Sequence, residues 1–153
     1  MDLILWRHAE AADADDASED LERALTARGE RQAARVAHWL NQHLPATTRV
    51  IASPARRCQQ TAAALERKFK TVAALAPDAS VQAVLAAARW PDAKEPVLVV
   101  GHQPTLGLTA AYVLAGVTQP WSIKKGAVWW LRRRERADDG ETALVAVRGP
   151  ESL

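Results

Sequence analysis

Short, wholly apolar runs alternate along this chain with longer stretches in which apolar residues return every three or four positions. Leu3-Ile4-Leu5-Trp6, Val50-Ile51-Ala52 and Val97-Leu98-Val99-Val100 have the length and continuity of strands buried on both faces. Thr71 to Leu75 reads as a further strand ending before Pro77-Asp78. Between these runs the period lengthens. Thr26 is placed to cap a helix whose Ala33, Val36, Ala37, Leu40 and Leu44 share one face, with Pro45 as its stop. A second helix is expected over Arg56 to Lys68, with Thr61, Ala64, Leu65 and Phe69 inward. A third carries Val81, Val84, Leu85 and Ala88 and breaks near Pro91, and a fourth runs from Thr105 to Leu114, ended by Gly116. Ala127 to Leu131 and Thr142 to Val147 close the pattern as two strands joined by a turn at Asp138-Asp139-Gly140. Strands alternating with helices predict an α/β, three-layer sandwich: a mostly parallel central sheet, helices on both faces and a C-terminal antiparallel hairpin.

Composition narrows the class without naming a function. The chain has 153 residues, 48% apolar and 25% charged, which suits one domain over 1–153 with a substantial core. Its formal net charge is +2, so no global field calls for nucleic acid or a membrane as partner. The single cysteine, Cys58, excludes an internal disulfide and fits a reducing compartment. The first apolar run is too short for a signal-peptide core, and the expected location is cytoplasmic. Ala11 to Glu22, rich in aspartate and glutamate, reads as a solvated loop. Arg132-Arg133-Arg134-Glu135-Arg136 has no interleaved aromatics and reads as a solvated strand edge rather than a nucleic-acid surface. Trp129 and Trp130, adjacent on a strand, must face opposite sides of the sheet.

The chemistry gathers where the elements end. Arg7-His8 follows the first strand, Gly101-His102 follows the Val97–Val100 strand, and Arg56-Arg57 follows the second. In open α/β sheets, ligands bind at the carboxyl ends of the strands. Arginine forks match phosphate oxygens, and neighbouring positive charge keeps a histidine neutral and nucleophilic. Such an imidazole is suited to in-line attack on phosphorus, with the arginines stabilising charge on the equatorial oxygens. A two-histidine metal site is the competing reading. The sequence disfavours it, because the ligand spacing is absent and arginines repel a cation. His38 and His43 lie on a helix among polar neighbours and read as solvated or structural.

Four segments carry a specific resemblance: Leu5-Trp6-Arg7-His8-Ala9; Asp20-Leu21-Glu22-Arg23-Ala24-Leu25-Thr26 with Gly29; Ser53-Pro54-Ala55-Arg56-Arg57-Cys58-Gln59-Gln60-Thr61; and Val99-Val100-Gly101-His102-Gln103-Pro104. In order and spacing the chain resembles the histidine phosphatase superfamily, of phosphoglycerate mutase-like fold, and within it the small phosphohistidine phosphatases of the SixA type. The resemblance implies that His8 is transiently phosphorylated. It also implies that Arg7, Arg57 and His102 complete the phosphate pocket, with His102 a hydrogen-bond donor to the phosphoryl group. Arg23 becomes a further phosphate or substrate contact, and Arg56 a helix-surface residue. No metal or other cofactor is implied, and the expected partner is a histidine-phosphorylated signalling or phosphotransfer protein.

Two departures bear on substrate. Ala9 stands at the family's usual glycine position. Larger phosphomonoesterases and mutases of the superfamily take a glutamate acid from an insertion, whereas Thr71 to Glu95 is short here and offers only Asp78, Asp92 and Glu95. Asp78 is the candidate acid. A leaving imidazole needs less help from an acid than a leaving alkoxide, because its nitrogen accepts a proton near neutral pH. Phosphohistidine is therefore the expected substrate. A small-molecule phosphomonoesterase and an inactive phosphate-binding module are the alternatives. Lys124-Lys125-Gly126 either borders the site or forms a plain loop.

Overall fold

The structure is a computed structural model that describes residues 1–13, 17–135 and 140–153. Along the chain lie β1 (Asp2–Arg7), α1 (Ala27–His43), β2 (Arg49–Ala52), α2 (Arg56–Ala63), β3 (Lys70–Thr71), α3 (Val81–Ala88), β4 (Val97–Gly101), α4 (Thr105–Ala115), β5 (Val128–Arg134) and β6 (Glu141–Arg148). Short 3₁₀ segments occupy Ala17–Glu22, Ala73–Leu75 and Pro150–Ser152. The strands form one sheet in the order β3-β2-β4-β1-β5-β6. β3, β2, β4 and β1 pair in parallel, and β5 and β6 add antiparallel. This is the expected mixed α/β sandwich with its closing antiparallel pair. The proposed turn residues Asp138 and Asp139 lie outside the described residues, as do Asp15 and Asp16 of the acidic stretch.

Period-two alternation divides the apolar strands between two cores. Ile4 and Trp6 of β1 join Val36 and Leu40 of α1 and Cys58 and Ala62 of α2 on one face of the sheet. Leu3 and Leu5 join Val84 of α3 and Leu106 and Ala110 of α4 on the other. Each fully buried leucine or isoleucine contributes roughly 1.5–3 kcal/mol through burial, so the double-sided core is the main stabilising term. Trp129 and Trp130 do face opposite sides. Trp130 is buried in the first core and donates to Asp2 Oδ2, whereas Trp129 packs partly buried in the second.

Local signals set the helix ends. Thr26 Oγ1 accepts from Gly29 N at 2.9 Å, the N-cap expected of it, and Leu44 closes α1 just before Pro45. Gly29 is required by packing, since a Cβ there would collide with the Glu10 carbonyl oxygen. Two elements differ from expectation. α2 ends at Ala63 rather than Lys68, because tertiary contacts capture the following turn. Asn41 donates to Leu65 O, Arg67 donates to Pro45 O and Leu44 O, and Glu66 adopts φ 55°. The strand expected over Thr71 to Leu75 is the two-residue β3 followed by a 3₁₀ turn at Ala73–Leu75, since only Ile51 and Ala52 offer it pairing partners. The arginine run also differs in place. Its first residues lie on β5, an inner strand, where Arg132 pairs with Asp2 at 2.8 Å; the sheet edge is β6.

Candidate active site

Parallel pairing brings three strand ends to one side of the sheet. Arg7 is in register with Gly101, His8 N donates to Gly101 O at 3.1 Å, and Ser53 N donates to Val100 O at 3.0 Å. His8, Ser53 and His102 therefore emerge together although 94 positions separate the two histidines in the chain. The histidine ring centroids are 5.4 Å apart, tilted by 57°. Around them a cavity of about 180 Å³ is lined by Arg7, His8, Arg23, Arg57, His102 and Lys125, with Asp78 its lining carboxylate. All six residues proposed from sequence thus meet at one cavity. Arg56 lies exposed on α2, outside it. Asp78 sits in the turn between Ala73–Leu75 and α3, at φ 69°, rather than directly at a strand end.

Each nitrogen of His8 has a separate task. Nδ1 lies 2.8 Å from Ala9 O, and a carbonyl only accepts, so Nδ1 carries the proton and Nε2 keeps its lone pair. Burial is the main force lowering the His8 pKa to about 3. The Ala9 carbonyl opposes it, and His102, Arg57 and Arg7 reinforce it. The free site therefore holds a neutral, nucleophilic imidazole at neutral pH. Ala9 tolerates its methyl group because it is buried in a small cluster with Ala11, Leu25 and Ala33. Ala9 N donates to Thr61 Oγ1 at 3.1 Å, and Thr61 Oγ1 in turn donates to Arg57 O at 2.7 Å. Thr61 thus ties the loop carrying His8 to the helix carrying Arg57.

His102 is oriented by Ser53, to which the sequence assigned no role, and by Arg57. Its Nε2 is 2.7 Å from Ser53 Oγ, which also accepts from Ala55 N. Arg57 Nη2 approaches Nδ1 at 3.4 Å. Arginine can only donate, so in the free site Nδ1 is the acceptor and Nε2–H points to Ser53. Burial, then Arg57, lower the His102 pKa to about 4; Asp20 opposes this, and Arg23 and Arg7 add to it. Cys58 Sγ lies 3.5 Å from the same ring, but burial pushes its thiol up to about 12 against the pull of Arg57 and Ser53, so it is no thiolate nucleophile.

The guanidinium groups are held from behind. Arg7 donates Nη1 to Ile123 O at 3.0 Å. Arg57 donates Nη1 to Asp20 O at 2.7 Å and Nη2 to Asp20 Oδ2 at 3.2 Å, while Arg23 Nε donates to Asp20 Oδ1 at 3.0 Å. Asp20 therefore couples two pocket arginines. Burial raises its pKa, but the charge of Arg57 and hydrogen bonds from Arg57 and Arg23 outweigh that and hold it below the usual carboxylate range. The i,i+3 spacing of Asp20 and Arg23 was the signal in the sequence; the reach to Arg57 was not. Arg7 Nε and Arg57 Nε are buried without an acceptor among the described residues. A concentration of buried cations is costly unless an anion offsets it. Among the described residues, no group of three or more His, Cys, Asp or Glu side chains is arranged to hold a metal ion.

The two histidine shifts link pH to stability. A depressed histidine pKa contributes stability that is present above the unfolded value of 6.5 and lost as pH falls toward about 3 for His8 and about 4 for His102. In that window the unfolded chain binds more protons than the folded one. Denaturant unfolding of the ligand-free protein should therefore show stability falling between pH 7 and pH 4. The fall should be shallower in a His8→Gln variant. Equal slopes would mean that His8 titrates alike in both states.

Comparison with known proteins agrees with this geometry. Residues 3–80 match the histidine phosphatase superfamily (branch 1). An uncharacterized protein of Picosynechococcus sp. is 38% identical over 142 residues, covering 86% of this chain and 85% of its own. Among solved structures, a candidate phosphohistidine phosphatase SixA from Nakamurella multipartitia superposes with a TM-score of 0.79 at 28% identity, covering 97% of this chain and 95% of that one. The protein histidine phosphatase SixA complexed with tungstate gives 0.77 at 26% identity, covering 98% and 97%. The family match over residues 3–80 and the 38% identity to a relative over 86% of this chain show that the chain belongs to the histidine phosphatase superfamily.

Proposed function

We propose that this chain hydrolyses phosphohistidine on a protein substrate through a transient phosphohistidine at His8. The observation that carries the proposal is the His8 tautomer. Nδ1 is committed to the Ala9 carbonyl, so Nε2 is the free nucleophile in a cavity rich in arginine. Arg7, Arg23 and Arg57 take the phosphoryl oxygens, and Asp20 keeps two of their forks in place. His8 Nε2 attacks phosphorus in line as the P–N bond of the substrate breaks; the departing imidazole nitrogen takes a proton from solvent water. His102, protonated as the dianion arrives, donates from Nδ1 to a phosphoryl oxygen, its ring braced by Ser53. Water then attacks the phospho-His8 phosphorus, releasing inorganic phosphate and restoring His8.

Asp78 at the cavity favours a second reading, since a carboxyl there could protonate an alkoxide leaving group. On that reading the substrate is a small phosphomonoester. The two separate in one assay of the purified chain on a histidine-phosphorylated protein and on p-nitrophenyl phosphate. The expected result is a kcat/KM at least about a hundredfold higher on phosphohistidine, equivalent to roughly 2.7 kcal/mol of differential transition-state stabilisation. Turnover of the ester with none on the phosphoprotein would replace the first reading with the second.

A further inference from the structure

A second groove, next to the phosphate cavity, carries charge that the chemistry leaves unused. Arg28, Arg31 and Arg35 stand exposed on one face of α1, facing the turn at Pro150–Ser152 across a groove of about 220 Å³. Few partners hold them. Arg28 reaches Glu10 only at 3.9 Å, Arg35 donates to Pro150 O at 3.5 Å, and the Arg31 side chain has neither a hydrogen bond nor an ion pair among the described residues. Farther along the same helix face, Arg148 lies 5.7 Å from the Trp39 ring centroid.

The groove lies close to the active site without sharing its lining. Gln32 in its lining accepts from the backbone N–H of Glu10, two residues beyond His8, at 3.0 Å. A Cβ on Gly126 would press on Pro150 and touch Gln32, so the residue beside Lys125 sits at the mouth of the groove. A cationic track therefore runs along α1 for roughly 10 Å, the rise from Arg28 to Arg35 at 1.5 Å per residue, with Gly126, the neighbour of the cavity residue Lys125, beside it.

We infer that this track docks an acidic segment lying beside the phosphohistidine of the protein substrate. The inference rests on the phosphohistidine reading and adds the chemistry of the partner. With a net charge of +2 for the whole chain, three arginines along one groove are a local concentration. Arginine forks suit carboxylates, and complementary charge at the rim of a site acts on encounter and on choice of partner. An anionic membrane fits less well. The track is recessed between two walls, and Glu10 and Glu151 lie along it.

The test uses two synthetic peptides, each with one phosphohistidine, flanked by aspartates in one and by asparagines in the other. Wild-type protein should prefer the aspartate peptide by about tenfold in kcat/KM at low salt, and the preference should fade as salt rises. Arg31→Glu/Arg35→Glu should lose the preference through KM while hydrolysing the asparagine peptide like wild type. A wild type without preference, or a variant that keeps it, overturns the inference. Should the double variant melt early, Arg31→Gln, whose native side chain has no partner among the described residues, is read on the same peptides with the same two outcomes. Inactivity of wild type on both peptides with turnover of p-nitrophenyl phosphate would instead remove the phosphohistidine reading, and the docking inference with it. Loss of binding to phosphatidylserine vesicles in the variant, with the peptide preference intact, would assign the track to membranes and overturn the inference.

Discussion

Replacing His8 with alanine should abolish turnover, with a loss on the order of 10⁴–10⁶-fold, the range seen when a nucleophile is removed from a preorganised site. The physical reason is that neither His102 nor Cys58 can take over. His102 is turned by Ser53 and faces Arg57, and the Cys58 thiol is held in its protonated form. The chemical signature is as informative as the rate. Wild type quenched in alkali during turnover should carry an acid-labile, alkali-stable phosphate, as a phosphoramidate does, and His8→Ala should carry none. Equal labelling of the two proteins would move the nucleophile elsewhere and end the mechanism proposed above. Phosphate-analogue affinity should fall far less than rate, because the arginines that hold the oxygens remain.

Arg57→Ala should produce the next largest loss, about 10³–10⁵-fold in kcat/KM, the scale of an arginine that stabilises phosphoryl-transfer charge. Arg57 is 3% exposed, contacts His102 and is clamped by Asp20, so its guanidinium is oriented before substrate arrives. Arg57→Lys retains charge without the fork and should recover only part of the loss. Two effects oppose each other in these variants. Removing Arg57 relieves the cation that helps depress the His8 and His102 pKa values, yet it leaves the Asp20 carboxylate with Arg23 and without the fork that neutralised its other oxygen. Electrostatic repulsion of the incoming dianion by Asp20 makes the second effect dominant. Kinetics of Arg57→Ala beside Arg57→Ala/Asp20→Asn check this: the double variant should be the more active of the two. A less active double variant would show that Asp20 serves the site by some route other than Arg57.

The legible parts of this protein were those written in short-range pattern. The apolar runs of β1, β2 and β4 cannot be exposed, and the cap at Thr26 and the stops at Pro45 and Gly116 act within one turn of helix. The residues at the cavity were legible for a related reason. Each sits at or just beyond an element end within a recognisable segment, and parallel pairing carries such ends to the same side. Reading α2 through to Lys68 failed because its end depends on Asn41 and Arg67, contacts that reach across to α1 and the turn after it. The length of β3 failed likewise, being set by how much of β2 is left to pair.

By itself, then, the sequence determined the elements, the sandwich class and the candidate side chains that the fold gathers at the cavity, because periodicity and motif are properties of neighbours along the chain. Only the tertiary structure decided how those side chains work. The proton on His8 Nδ1, the turning of His102 by Ser53, the clamp of Asp20 on Arg57 and the cationic track along α1 each join residues from separate elements. The depressed histidine pKa values follow from burial beneath those elements, together with charges that only folding brings near. Such distances are set by packing in three dimensions, and no spacing along the chain encodes them.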